Sequence, residues 1–207
     1  MTDYLQAFNY ALDTWKVDVI VMSFGYSSRR TYPLFESALP RARKLPDNKE
    51  VLLFAAASNE GGNSLPTYPA RFDNVFCINA CDGYGNGSGF NPNPLDKGDN
   101  YCILGQDILA ADPHVMVSGT SYAAPIAASL AASLIEFVGQ NWPSGDLSMG
   151  RQVMEELQTH SGMRRLLDGI AKKGKEYYYL CPWAELFRGP NRDLGEICHD
   201  IRRIVLG

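Results

Sequence analysis

Three stretches constrain the fold most: "VDVIVMSFG" (17–25), "EVLLFAAASNEGG" (50–62) and "NVFCINACDG" (74–83). Each is apolar without a break, partly β-branched or aromatic, and runs out into glycine. A strand with one wet face alternates apolar and polar residues; an unbroken apolar run of strand length is buried on both faces. That pattern belongs to a parallel sheet covered by helices on two sides. Residues 3–15 carry Leu5, Phe8, Leu12 and Trp15 at helical spacing, with Thr2 or Asp3 as cap. "YPLFESALPRARKL" (32–45) reads as a helix that opens on Pro33 and is kinked or ended by Pro40. The order helix, strand, helix, strand, strand predicts an α/β layered domain.

Beyond the third strand, 83–100 is rich in Gly, Asn, Pro and Asp and reads as a surface loop. Its "GYGNGSG" is out of register for a phosphate-binding turn and lacks the strand-turn-helix context. Short strands are predicted near 101–104, 107–110 and 114–117. A helix follows from Ser121 to about Val138, stopped by "NWPSGD". A helical region at 148–172, interrupted around Ser161-Gly162, leads to "YYYLCPWAELF" and a closing helix near 192–205. No internal repeat or domain boundary stands out. The expectation is a single partial domain over 1–207, with a motif-bearing core at 1–140 and a helical region at 141–207.

The chain has 207 residues, 45% hydrophobic and 20% charged, with a net charge of −4. That is a globular balance and gives no electrostatic case for nucleic acid. "RARK" (41–44) and "RRIVLG" (202–207) are short and read as solvated faces. The cysteines, Cys77, Cys81, Cys102, Cys181 and Cys198, are odd in number and form no C-x-x-C, so neither a disulfide framework nor a zinc knuckle is expected. No O-ligand spacing suggests calcium. The first ten residues lack a signal-peptide pattern. The most apolar helix, 122–138, is alanine-rich and carries Pro125 and Glu136. A cytoplasmic protein in a reducing compartment, with no metal, no cofactor, no membrane and no nucleic-acid partner, is expected.

The chemistry concentrates in "VSGTSYAAPIAASLAASLIEF" (117–137). Gly119 lets the backbone turn tightly. Ser121 then stands at a helix N-terminus, where free N–H groups and the helix dipole favour a developing negative charge. Ala123 and Ala124 let the helix sit close to a sheet, and Pro125 is placed in the first turn, where a missing N–H costs little. Taken alone, Ser121 is a helix cap, Asn59 a turn residue and "VIVMSF" core.

Taken in order, these stretches resemble the subtilisin-like serine peptidases. Gly119, Thr120, Ser121, Ala123 and Pro125 match that family's G-T-S-x-A-x-P serine motif. "VDVIVMSFG" resembles the strand ending in Ser-Leu-Gly that lines the pocket for the residue before the cleaved bond, which implies Ser23, Phe24 and Gly25 as substrate-binding positions. "FAAASNEGG" resembles the Ala-Ala-Ala-Gly-Asn-Glu loop, which implies Asn59 as side-chain oxyanion donor beside the Ser121 nucleophile. "YPARFDNVFCINACD" and "QDILAA" resemble the following segments, and "MRRLLDGIAKKGKEYYYLCPWAELF" resembles the ending of intracellular fungal members. The implied fold is a parallel-sheet, three-layer α/β domain.

This sequence departs from that pattern in three ways. Ser58 stands in place of a glycine and Ser118 in place of a frequent asparagine, and the segment from Ala111 to Ser118 is short. The family's Asp and His segments precede the strand matched by 17–25, in the chain order Asp, His, Ser. Neither is recognisable here, so the fold is expected to be incomplete. The histidines are His114, His160 and His199, none in a His-Gly setting. The resemblance therefore implies a serine endopeptidase domain acting on peptide or protein substrates, inactive by itself. A non-catalytic pseudopeptidase that binds peptides or another chain is the alternative. Strand 18–24, left as an apolar sheet edge, is expected to self-associate or recruit a partner.

Overall fold

The computed structural model describes residues 3–29, 33–43, 49–96, 98–189 and 192–207. The three apolar runs become strands β1 (Val19–Met22), β2 (Leu52–Ala56) and β3 (Val75–Cys81). With β4 (Tyr101–Leu104), they pair in parallel in chain order, Val19 beside Leu52, Leu53 beside Val75 and Ile78 beside Tyr101. Every residue of β2 and β3 is buried. Alternate side chains feed two cores. Leu52, Phe54, Phe76 and Ile78 face one layer; Leu53, Ala55, Val75 and Cys77 face the other. This explains why these runs show no alternation.

On the second face lie α1 (Asp3–Tyr10), continued by a π-helical turn over Ala11–Trp15, and α2 (Pro33–Ala38). Phe8, Leu12, Phe35 and Leu39 seal that face. Pro40 acts as expected: α2 tightens into a 3₁₀ turn over Leu39–Arg43, since proline cannot supply the next helical N–H. Thr2, named as a candidate cap, and Lys44 of the "RARK" run lie outside the described residues.

The first face is covered by α3 (Thr120–Asn141), α4 (Leu147–Leu157), α5 (His160–Ile170) and, after the short α6 (Pro182–Glu185), α7 (Leu194–Leu206). By length and composition α3 could cross a membrane. Here it lies on β1 to β4, burying Ala123, Ala124, Ala127, Ala131, Leu134 and Val138. The small side chains allow that close approach. A Cβ added to Gly105, just after β4, would stand 2.7 Å from Ala80 Cβ and 2.9 Å from Ala123 Cβ.

Two details differ from the sequence expectation. The break between α4 and α5 falls before His160, not at Ser161-Gly162, because the Thr159 hydroxyl accepts the Gly162 N–H at 3.0 Å and caps α5. Residues 171 and 172, expected to end the helical region, belong instead to β7 (Ala171–Lys173), antiparallel to β8 (Tyr178–Leu180), which extends β4 in parallel. The sheet order is therefore β1-β2-β3-β4-β8-β7, with β1 at one edge. A separate hairpin of β5 (Ile108–Leu109) and β6 (Met116–Val117) leads into α3.

Candidate active site

The carboxyl ends of parallel strands are where an open α/β sheet forms a crevice. Ser121 stands over that end. Gly119 immediately precedes α3, with φ +156°, and its N–H donates to the Gly105 carbonyl at 2.7 Å, which ties the corner to the end of β4. That backbone conformation favours glycine. The following N–H, of Thr120, donates to Asn59 Oδ1 at 2.9 Å, and the Thr120 hydroxyl donates to the same oxygen at 3.1 Å. Thr120 is fully buried. Asn59, in the loop leaving β2, is thus held by its carbonyl oxygen, which fixes which end of its amide faces outward.

The groups left over are the useful ones. Among the described residues, the Asn59 amide NH₂ and the Ser121 N–H have no hydrogen-bond acceptor, and the Ser121 hydroxyl has no partner. Two unengaged donors flank the corner that carries a half-buried serine hydroxyl, at the positive end of a long helix. Such an arrangement can stabilise an oxyanion.

Ser23, at the end of β1, comes to the same corner. Its hydroxyl donates to the Ser121 carbonyl at 3.0 Å. The reason corrects the expectation for Pro125. Since α3 begins at Thr120, Pro125 lies beyond the first turn, inside the helix. The Ser121 carbonyl would normally accept from the N–H of residue 125, and proline has none. Ser23 fills that vacancy. The signal was readable, because a proline at that offset orphans one named carbonyl.

Phe24 and Gly25 are placed differently. The Phe24 ring stacks on Tyr4 at 4.3 Å and meets Phe35 edge-on, turned towards the α1–α2 layer. Gly25 packs against Thr67. Ser58, which stands where the family pattern has a glycine, has φ +155°, a backbone conformation that favours glycine. Ser118 accepts the Asp107 N–H at 2.9 Å and so closes the base of the β5–β6 hairpin.

None of the three histidines hydrogen-bonds Ser121. His114 lies in the exposed β5–β6 turn, its N–H on Asp112 at 3.0 Å. His199 is on α7 beside Trp142. His160 has its ring stacked on Phe76 at 4.4 Å near the amino ends of the strands, and its backbone N–H donates to a Glu50 carboxylate oxygen at 2.7 Å. Burial, reinforced by Arg43, pushes its imidazole down to about 4. Among the described residues no group of His, Cys, Asp and Glu could hold a metal ion.

A model of the subtilase family matches residues 1–168. A curated relative, the subtilisin-like protease het-Q2 of Podospora anserina, is 32% identical over 210 residues, covering 94% of this chain and 56% of the relative. The chain thus spans about half of that protein. The solved protease domain of PatA is 26% identical with a TM-score of 0.60, over 84% of this chain and 58% of that one. The PatG macrocyclase, solved in complex with peptide, has a TM-score of 0.58 at 18% identity, over 97% of this chain and 55% of its own.

Proposed function

The chain belongs to the subtilase family, and from that premise we propose that it is the part of a serine endopeptidase domain that carries the nucleophile and the oxyanion hole. In this reading Ser121 attacks the carbonyl of a peptide bond. The oxyanion that forms is held by the Asn59 NH₂ and the Ser121 N–H. The observation that supports this most is the anchoring of Asn59 by Thr120, which leaves its donor end available. A serine hydroxyl is a weak nucleophile until a base takes its proton, and no imidazole touches Ser121. The activating His and Asp therefore come from polypeptide outside these 207 residues, and this chain alone turns over almost nothing. In subtilisin itself, losing the histidine costs roughly 10⁶ in turnover, a magnitude that belongs to that enzyme and is carried over to this one.

The lack of a nearby base also favours a second reading, a pseudopeptidase that binds peptides without cutting them. In either reading β1, at the sheet edge with Val21 42% exposed, is the surface where a further strand or a second copy would pair. We also assign the protein to a reducing, intracellular compartment, since its five cysteines are all free and buried.

Incubation with a serine-directed fluorophosphonate, read by intact mass, tests the first reading. The expected result is no appreciable Ser121 adduct on this chain. Prompt labelling, abolished by Ser121→Ala, would show an activated serine and overturn the claim of inactivity.

A further inference from the structure

We propose that Asn86 is a site of spontaneous deamidation, and that the change unlatches the loop lying over Cys81 and Cys102. Asn86-Gly87 is the one Asn-Gly pair in the sequence, and both residues are exposed. The Asp82 N–H donates to the Asn86 carbonyl at 3.0 Å and the Ser88 N–H to the Ala80 carbonyl at 3.1 Å, so Cys81 and Gly87 face each other between two bonds. In that register the Gly87 N–H points away from Cys81. Among the described residues it has no acceptor. Packing requires glycine here, because a Cβ at 87 would stand 2.9 Å from Tyr177 Cδ2. The fold thus sets beside Asn86 the residue whose nitrogen is least shielded.

The reaction needs only water. The Gly87 nitrogen attacks Asn86 Cγ. The N–Cγ bond forms, the Cγ–Nδ2 bond breaks, and Nδ2 leaves as ammonia with the proton from Gly87. Water then opens the resulting succinimide. Cleavage at Cγ leaves aspartate; cleavage at the main-chain carbonyl leaves isoaspartate, with an extra methylene in the backbone.

The consequence follows from what Asn86 holds. Its Nδ2 donates to Asp82 Oδ2 at 2.8 Å and its N–H to Asp82 Oδ1 at 2.9 Å. These bonds keep the Asp82 carboxyl below the usual carboxylate range. Deamidation replaces the Nδ2 donor by a second carboxylate, and attraction becomes repulsion. Loop 83–87 then loses its latch. That loop lies on two rings: a Cβ at Gly85 would meet Tyr179 Cδ1 at 2.4 Å, and the Tyr179 hydroxyl donates to the Gly83 carbonyl at 3.4 Å. Tyr179 and Asn79 are the two partners of Cys102 in the sheet, and Cys81 follows Asn79 by two residues. Both thiols therefore share the sheet face beneath the loop, wholly buried.

The test ages the intact, reduced chain in neutral buffer and maps its peptides by mass. The peptide carrying Asn86 is expected to gain one mass unit before that carrying Asn63, whose next residue is serine. Asp82→Ala, which frees the amide, should hasten the conversion by about tenfold. In Asn86→Asp, iodoacetamide should alkylate Cys81 and Cys102 about tenfold faster than in fresh wild type, while Cys198, buried in α7, stays protected. If Asn86→Asp fails to fold, aged wild type, converted only in part, gives the same comparison. An unchanged Asn86 over a span in which the free peptide 82–90 converts fully would overturn the site. Equal protection of Cys81 and Cys102 before and after conversion, or loss of protection at Cys198 along with them, would overturn the unlatching.

Discussion

The side-chain oxygen of Asn59 accepts both the N–H and the hydroxyl of Thr120, at 2.9 and 3.1 Å, across a sequence separation of 61 residues. That pair joins the loop after β2 to the head of α3 and makes the corner one unit. Asn59→Ala would leave two donors of a fully buried residue without an acceptor. The expected loss is about 1–3 kcal/mol of stability by urea denaturation. A change below about 0.5 kcal/mol, the size of an ordinary surface substitution, would mean that water replaces the amide without cost.

Ser23 and Pro125 should be coupled. In the wild type, Ser23→Ala removes the donor to the Ser121 carbonyl and should cost about 1 kcal/mol. In a Pro125→Ala background the helix regains its own N–H for that carbonyl, and Ser23→Ala should be close to neutral. The double-mutant cycle should therefore give a coupling of roughly 1 kcal/mol, and additive effects would contradict the account of the orphaned carbonyl.

Two neighbouring positive-φ positions should respond in opposite directions. Gly119 has φ +156°, and a Cβ there would stand 3.3 Å from Asn59 Nδ2. Gly119→Ala should destabilise by about 1–3 kcal/mol and shift the Asn59 side-chain resonances. Ser58 bears a side chain at φ +155°. Ser58→Gly should raise stability by about 1 kcal/mol, less the loss of a 3.3 Å bond from the Glu60 N–H. Thermal melts of the two variants check both signs.

The amino-end cluster supplies a pH prediction. The Asp99 carboxylate accepts from Arg164 Nε at 2.9 Å and faces His160 Nε2 at 3.7 Å, beyond hydrogen-bond distance. Burial pushes Asp99 up to about 6, against the opposing pull of Arg164, and burial also pushes His160 down to about 4. A raised carboxyl binds its proton more readily in the folded state, so its contribution to stability grows as pH falls from about 6 to the unfolded value of 3.8. A lowered imidazole binds its proton more readily in the unfolded state, so its contribution is lost between pH 6.5 and about 4. The two oppose each other in nearly the same window. Asp99→Asn should expose the histidine effect, with stability falling on acidification from pH 6.5 to 4 by on the order of 2–3 kcal/mol. His160→Gln should reverse the slope. Urea midpoints across that range would show it, and parallel pH profiles for both variants would contradict it.

The layered sheet was legible in β1, β2 and β3 because burial on both faces leaves a compositional mark. The short strands β7 and β8 left none: Ala171–Lys173 is largely polar and pairs at an edge, where backbone hydrogen bonds rather than side chains decide. The serine corner was legible as a motif, and Asn59 through its loop. The Ser23 bond was not, because it depends on a contact between segments 98 residues apart. A vacancy left by one residue predicts that a partner exists without saying which strand provides it. The His160 environment was hidden for the same reason, since Phe76 of β3 and the loop residues Glu50 and Asp99 reach it from three separate stretches of the chain.

The central claim is that Ser121 sits in a formed oxyanion cradle with no imidazole to take its proton. A crystal structure of the chain with tetra-alanine carboxylate bound tests both halves at once. The account predicts one carboxylate oxygen within about 2.7–3.1 Å of both Asn59 Nδ2 and the Ser121 nitrogen, and no histidine nitrogen bonded to Ser121 Oγ. An imidazole of His114, His160 or His199 within about 3.2 Å of that hydroxyl would contradict it.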